Sequence, residues 1–109
     1  MESKNINVSH FTLLDRAEYK KDAIVSSEVV RNAAGTITVF AFDGGQGLSE
    51  HTAPFDAVVQ IIDGCATIRI DGTPYAVKCG EMIIMPANVP HALSCDTPFK
   101  MVLTMLKGK

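Results

Sequence analysis

At 109 residues, 47% hydrophobic and 20% charged, the chain is the size of one domain and carries enough apolar material for a packed core, which excludes a disordered chain. A net charge of −2 supplies no basic field for nucleic acid or for an anionic membrane, and no apolar run approaches the length of a membrane span. The polar start Met1-Glu-Ser-Lys-Asn5 lacks the apolar stretch of a signal peptide, so a cytoplasmic protein is expected.

Residues 1–23 are polar and weakly patterned. Phe11, Leu13, Leu14 and Ala17 suit a helical turn or two covering one end of a barrel, and an irregular arm is the competing expectation. His10 in this arm reads as a solvated side chain. From Ile24 the pattern turns to β. Ile24–Val30 is β-rich, Asn32–Gly35 is a turn, and Thr36–Phe42 alternates strongly enough to predict a strand. Asp43-Gly44-Gly45-Gln46-Gly47 interrupts it. No Lys-Ser/Thr pair and no helix pattern follow these glycines, so they are expected to form a loop between strands and not a phosphate cradle.

Strand signals then recur at short intervals. Ala57–Ile62 ends at Asp63-Gly64, and Cys65–Ile70 ends at Asp71-Gly72, a strong hairpin signal. Thr73–Val77 returns along it. In a two-residue turn Ile70 faces Thr73, Ile68 faces Tyr75 and Ala66 faces Val77, which keeps one apolar row on one face. The same register sets Cys65 opposite Lys78 and turns Cys79 to the other side, disfavouring a Cys65–Cys79 disulfide. With Cys95 the cysteines are odd in number and lack zinc spacing, so free thiols are expected. Met82–Met85 is a short buried strand that Pro86 ends, because proline has no N–H for the ladder. Pro86 and Pro90 stiffen the turn before His91–Cys95, and Phe99–Leu106 is the last strand. Many short strands with close turns and no convincing helix after Tyr19 predict an all-β barrel or sandwich.

The stretch Gly80–Cys95 resembles the second motif of the cupin superfamily: glycine, five residues, proline, any residue, glycine, two residues, histidine. Gly80, Pro86 and His91 stand at that spacing, with Asn88 at the usual glycine. Asparagine tolerates the left-handed backbone such a position requires. The first cupin motif runs histidine, any residue, histidine, three or four residues, glutamate, six residues, glycine. His51 and Gly64 match its two ends, while Ala53 and Ala57 replace the second histidine and the glutamate.

The resemblance covers roughly residues 45 to 95. It implies an all-β fold, a small double-stranded β-helix or jelly-roll barrel with a short N-terminal arm or helical turn. The whole chain, 1–109, is then one domain, with the barrel at about 35–107 and the arm and first strand at 1–34. A complete cupin site holds iron, manganese, nickel or zinc with three histidines and a carboxylate. His51 and His91 are its tentative remnants here, an incomplete set. Cys95 lies about 13 Å along a straight strand from His91, too far to share an ion with it. Gln46, Glu50, Asp56 and Gln60 remain open as sources of a third ligand. Met82, Met85, Met101 and Met105 are expected in the core or lining a cavity.

Two functions follow as expectations. The first is a barrel that binds a small polar or anionic molecule near His51 and His91, with a weakly held divalent metal or none. The alternative is a metal-dependent oxygenase, isomerase or lyase using both histidines and a third ligand. A homodimer is expected, because so small a barrel leaves sheet edges such as Ile24–Val30 free to pair.

Overall fold

Nine antiparallel strands follow a single 3-10 turn (Leu13–Asp15) in the computed structural model, which describes residues 6–108. The polar start Met1–Asn5 lies outside the described residues. The strands are β1 (Ile24–Asn32), β2 (Gly35–Phe42), β3 (Gly47–His51), β4 (Asp56–Asp63), β5 (Cys65–Ile70), β6 (Thr73–Lys78), β7 (Met82–Met85), β8 (His91–Ser94) and β9 (Phe99–Leu106). They form a five-stranded sheet in the order β1-β2-β9-β4-β7 and a four-stranded sheet in the order β3-β8-β5-β6. The two sheets enclose one apolar core. Phe42, Val59, Ile61, Phe99 and Met101 reach it from the larger sheet, and Ala66, Ile68, Val77 and Leu93 from the smaller. The expected all-β barrel is the fold observed.

The β5–β6 hairpin has the expected register, Ile70 opposite Thr73 and Cys65 opposite Lys78. Its turn works because Asp71 and Gly72 both adopt positive φ, 53° and 83°, matching the twist of the flanking strands. The facing row is only partly apolar in effect. Ala66, Ile68 and Val77 are buried, while Tyr75 stays 46% exposed because β6 is a sheet edge.

Three expectations are corrected. The arm makes one 3-10 turn, and it covers the outer face of the larger sheet instead of a barrel end. Ala17 packs there on Val39, Ala41 and Val102. Polar contacts pin the arm: Lys100, buried on β9, donates from Nζ to the Leu14 carbonyl (2.7 Å), Arg16 donates to Ser27 Oγ, and the Tyr19 hydroxyl donates to Asp63. Gly47, expected in the loop, opens the edge strand β3, for which no strand was expected; it is short, with Leu48 its one large apolar side chain, so it gives little periodic signal. Met82–Met85, expected as a buried strand, is the edge strand β7 with Met82 and Ile84 exposed, so Met82 lies outside both the core and the cavity between the sheets.

All three cysteines are free, with Cys65 and Cys79 exposed. Burial pushes the Cys95 thiol above the usual range, and its Sγ donates to the Gln46 carbonyl at 3.3 Å. Thiol titration of denatured, unreduced protein should therefore find three groups. In the native protein Cys65 and Cys79 should react well before Cys95, since they are exposed and burial disfavours the Cys95 thiolate.

Candidate functional site

His91 is held by what precedes it. The chain runs from Met85 through Pro86 into a turn in which Asn88 adopts φ 64°, as its place in the motif requires. The Asn88 N–H donates to the Ala53 carbonyl (2.7 Å), and the Ala87 N–H donates to Asp56 Oδ1 (2.8 Å), so the proline turn is bonded to the segment between β3 and β4. His91 then opens β8 directly opposite His51 at the end of β3. Residues forty positions apart in sequence thus meet as a cross-strand pair. His91 is buried and His51 is exposed at the mouth.

The hydrogen bonds fix how the rings are protonated. Nδ1 of His51 lies 2.7 Å from the Ser49 carbonyl, and Nδ1 of His91 lies 3.2 Å from the Val89 carbonyl. A carbonyl only accepts, so each Nδ1 carries the proton and each neutral ring keeps its lone pair on Nε2. Those two Nε2 atoms face each other at 3.1 Å, with the rings edge to face at 71°. Two lone pairs at that distance repel, and a proton or an ion between them removes the repulsion. The two Nε2 atoms are placed to accept a donor that lies between them.

Burial pushes His91 below the ordinary histidine value of 6.5, and neighbouring His51 adds to this, while the Val89 carbonyl opposes it. The unfolded ring takes up its proton near 6.5 and the folded ring only at lower pH. Below about 6.5 the unfolded state therefore binds more protons, and stability falls as pH falls. Thermal melts between about pH 7 and pH 5 should show this loss, and His91→Asn should reduce it.

The pair borders a cavity of about 170 Å³ between the sheets. Ala53, Ala57, Met85, Met101 and Met105 are among its other lining residues, and the two histidines are its only polar side chains among the described residues. Gln46, Glu50, Asp56 and Gln60 are not on the lining. Asp56 serves the proline turn instead, as the strand alternation around Ala57 implies. Sequence reasoning reached both histidines and three of the methionines. It missed the carbonyls that set the tautomers, and also Leu48, Leu93 and Leu103, whose leucines look like ordinary core.

A family model described as Cupin domain matches residues 38–106. The chain belongs to the cupin family. A conserved protein of unknown function from Streptococcus pyogenes is 36% identical to this cupin, with a TM-score of 0.88 over 95% of this chain and 91% of that one. A cupin 2 conserved barrel domain protein from Leptotrichia buccalis is 39% identical with a TM-score of 0.86, over 89% of this chain and 47% of that one. A cupin superfamily protein from Desulfitobacterium hafniense is 25% identical with a TM-score of 0.78, covering 82% of each chain. No curated protein matches the chain.

The metal centre that cupins imply does not fit the donors of this one. Two imidazoles face the cavity, alanines stand at the other two ligand positions, and no cluster of three or more His, Cys, Asp or Glu side chains able to hold an ion forms among the described residues. An ion such as manganese or iron that favours carboxylate oxygen finds none on the lining.

Proposed function

We propose that this cupin binds a small, largely apolar molecule whose single polar or anionic group lies against the His51–His91 pair. The observation that carries this reading is a cavity whose only polar side chains among the described residues are two imidazoles with their Nε2 atoms facing each other at 3.1 Å. Its volume of about 170 Å³ is below the roughly 300–1,000 Å³ of drug-sized pockets and near the 150 Å³ that admits benzene, which argues for a ligand of a few heavy atoms. A short aliphatic or aromatic carboxylic acid meets both demands: an apolar body against the leucines and methionines, and an acidic O–H that the facing Nε2 atoms accept. The alternative, a metal-dependent enzyme, needs a third nitrogen or oxygen ligand that no lining side chain provides.

The test is titration of chelator-treated protein with benzoate and hexanoate, read from the side-chain 15N resonances of both histidines. Saturable millimolar binding that moves both Nε2 signals is expected, with benzyl alcohol binding more weakly and His91→Ala abolishing the response. Absence of saturable binding by either acid would overturn the reading.

A homodimer belongs to the same proposal. β1 is an edge of the larger sheet, and a register shift between Glu28 and Val30 leaves Ile24–Glu28 as its longest run of unbroken pairing. Light scattering should give twice the 11.7 kDa chain mass, and Ser26→Pro should return it to the monomer.

A further inference from the structure

The N-terminal arm and the outer face of the larger sheet each carry apolar side chains that their own chain leaves uncovered. Residues 6–12 have no secondary structure, and Ile6 and Val8 are 75% and 77% exposed. Asn7 and Ser9 alternate with them, so an extended backbone puts both apolar side chains on one face. The chain exposes 6973 Å², where a compact monomer of 11.7 kDa exposes about 5,900 Å². The excess is of the order of the ~800 Å² that each partner buries in a stable complex.

The receiving surface follows from the strand register. Val30, Ile37, Thr104, Val58 and Ile84 pair in turn across all five strands of the larger sheet. This row lies on the outer face and holds no charge. Ala17 packs on the neighbouring Val39, Ala41 and Val102, and both ends of the row, Val30 and Ile84, stay exposed. At the β1 end Val30, Ile37, Thr104 and Leu106 are among the residues lining a hollow of about 170 Å³. That is near the 150 Å³ that admits benzene, so the hollow has room for an aliphatic side chain.

The arm leaves the barrel where it can reach this surface on a second copy. Arg16 donates to Ser27 Oγ and to the Glu28 carbonyl of β1, and its guanidinium lies 4.4 Å from the Phe11 ring centroid. Residues before Phe11 therefore depart from β1, the sheet edge at which the homodimer pairs. At ~3.3 Å per residue Ile6 extends about 16 Å past Phe11, three strand spacings of ~4.8 Å, enough to cross a partner's sheet from β1 to β9.

We propose that the arms are exchanged, with Ile6 and Val8 of each subunit seated in the hollow on the outer face of the other. The inference rests on the proposed homodimer and adds the contact that closes it.

Both positions are exposed in the single chain, so substituting them leaves the subunit's own packing intact. Sedimentation equilibrium should show Ile6→Asp/Val8→Asp weakening the dimer by at least about 10²-fold, since two buried aliphatic side chains leave the contact. Ile6→Val/Val8→Ile should stay within about threefold of wild type. Exchange between chains is read directly in a Cys65→Ser/Cys79→Ser background, which removes the two exposed thiols. There Val8→Cys protein mixed with Leu106→Cys protein should be joined by a short bismaleimide into a heterodimer, and neither variant to itself. Unchanged dimer affinity in the aspartate variant, or no cross-linked heterodimer in the mixture, would overturn the proposal, and a monomeric wild type would overturn the homodimer with it. A dimer that survives Ser26→Pro and dissociates in the aspartate variant would support the arm exchange and remove only the β1 pairing.

Discussion

Ala53→His with Ala57→Glu is expected to raise zinc or manganese affinity by at least about 10²-fold, because it restores two ligands to a cavity that already holds two. Both alanines line that cavity with His51 and His91. The backbone beneath Ala53 is pinned, since its carbonyl accepts the Asn88 N–H at 2.7 Å. Ala57 is buried on the inner face of β4 between two methionines. Without metal, the new glutamate is a carboxyl among apolar side chains and should cost about 1–3 kcal/mol. The signature is thus two-sided: the metal-free double variant melts below wild type, and zinc returns it to or above the wild-type value. A competition titration with a chromophoric chelator measures the affinities, and adding His91→Ala should remove the gain. If the variant folds and binds zinc no more tightly than wild type, the side chains at 53 and 57 do not converge on the histidines.

Phe99→Ala should cost about 3–5 kcal/mol, enough to lower the melting temperature of a domain this size by well over 10 °C. Phe99 is fully buried, pairs directly with Phe42 across β9 and β2, and stacks on it with centroids 4.5 Å apart and planes within 9°. The void cannot close easily. On one side the Gly64 backbone already crowds the β9 entry, where an added Cβ would lie 2.4 Å from the Pro98 carbonyl oxygen. Tyr75→Ala on the edge strand β6 is the control and should cost less than about 1 kcal/mol. Urea unfolding followed by circular dichroism measures both. Equal effects would mean that the stack is not central to stability.

Eight of the nine strands were legible because each carries an apolar run or alternation bounded by Gly, Pro or Asp. The exception, β3, has five residues and pairs on one side only, so burial never imposed a period on it. Gly64 and His91 could be found from spacing, since a positive φ of 73° and a ring after a proline turn each demand a particular residue type. The meeting of His51 with His91 could only be inferred from the family resemblance, because strand pairing across forty residues leaves no local trace. The role of Asp56 was open for the same reason: its partner, the Ala87 N–H, lies thirty-one residues away. The direction of the arm was hidden differently. Alanine at 17 is too small to signal burial, and the tie that fixes the arm comes from Lys100, whose sequence neighbours give no hint of it.

The place of β9 in the larger sheet bears on how the protein is made. β9 lies between β2 and β4, yet it is synthesised after every other strand of its sheet. Until Phe99–Leu106 has left the ribosome, that sheet exists only as two separate pieces, β1-β2 and β4-β7, each presenting an unpaired edge to the same absent strand. Pairing across such separations is slow, and open edges of this kind recruit strands from other chains. A nascent chain halted before residue 99 should therefore be the species most bound by chaperones, and release of one further strand should convert it to the native barrel.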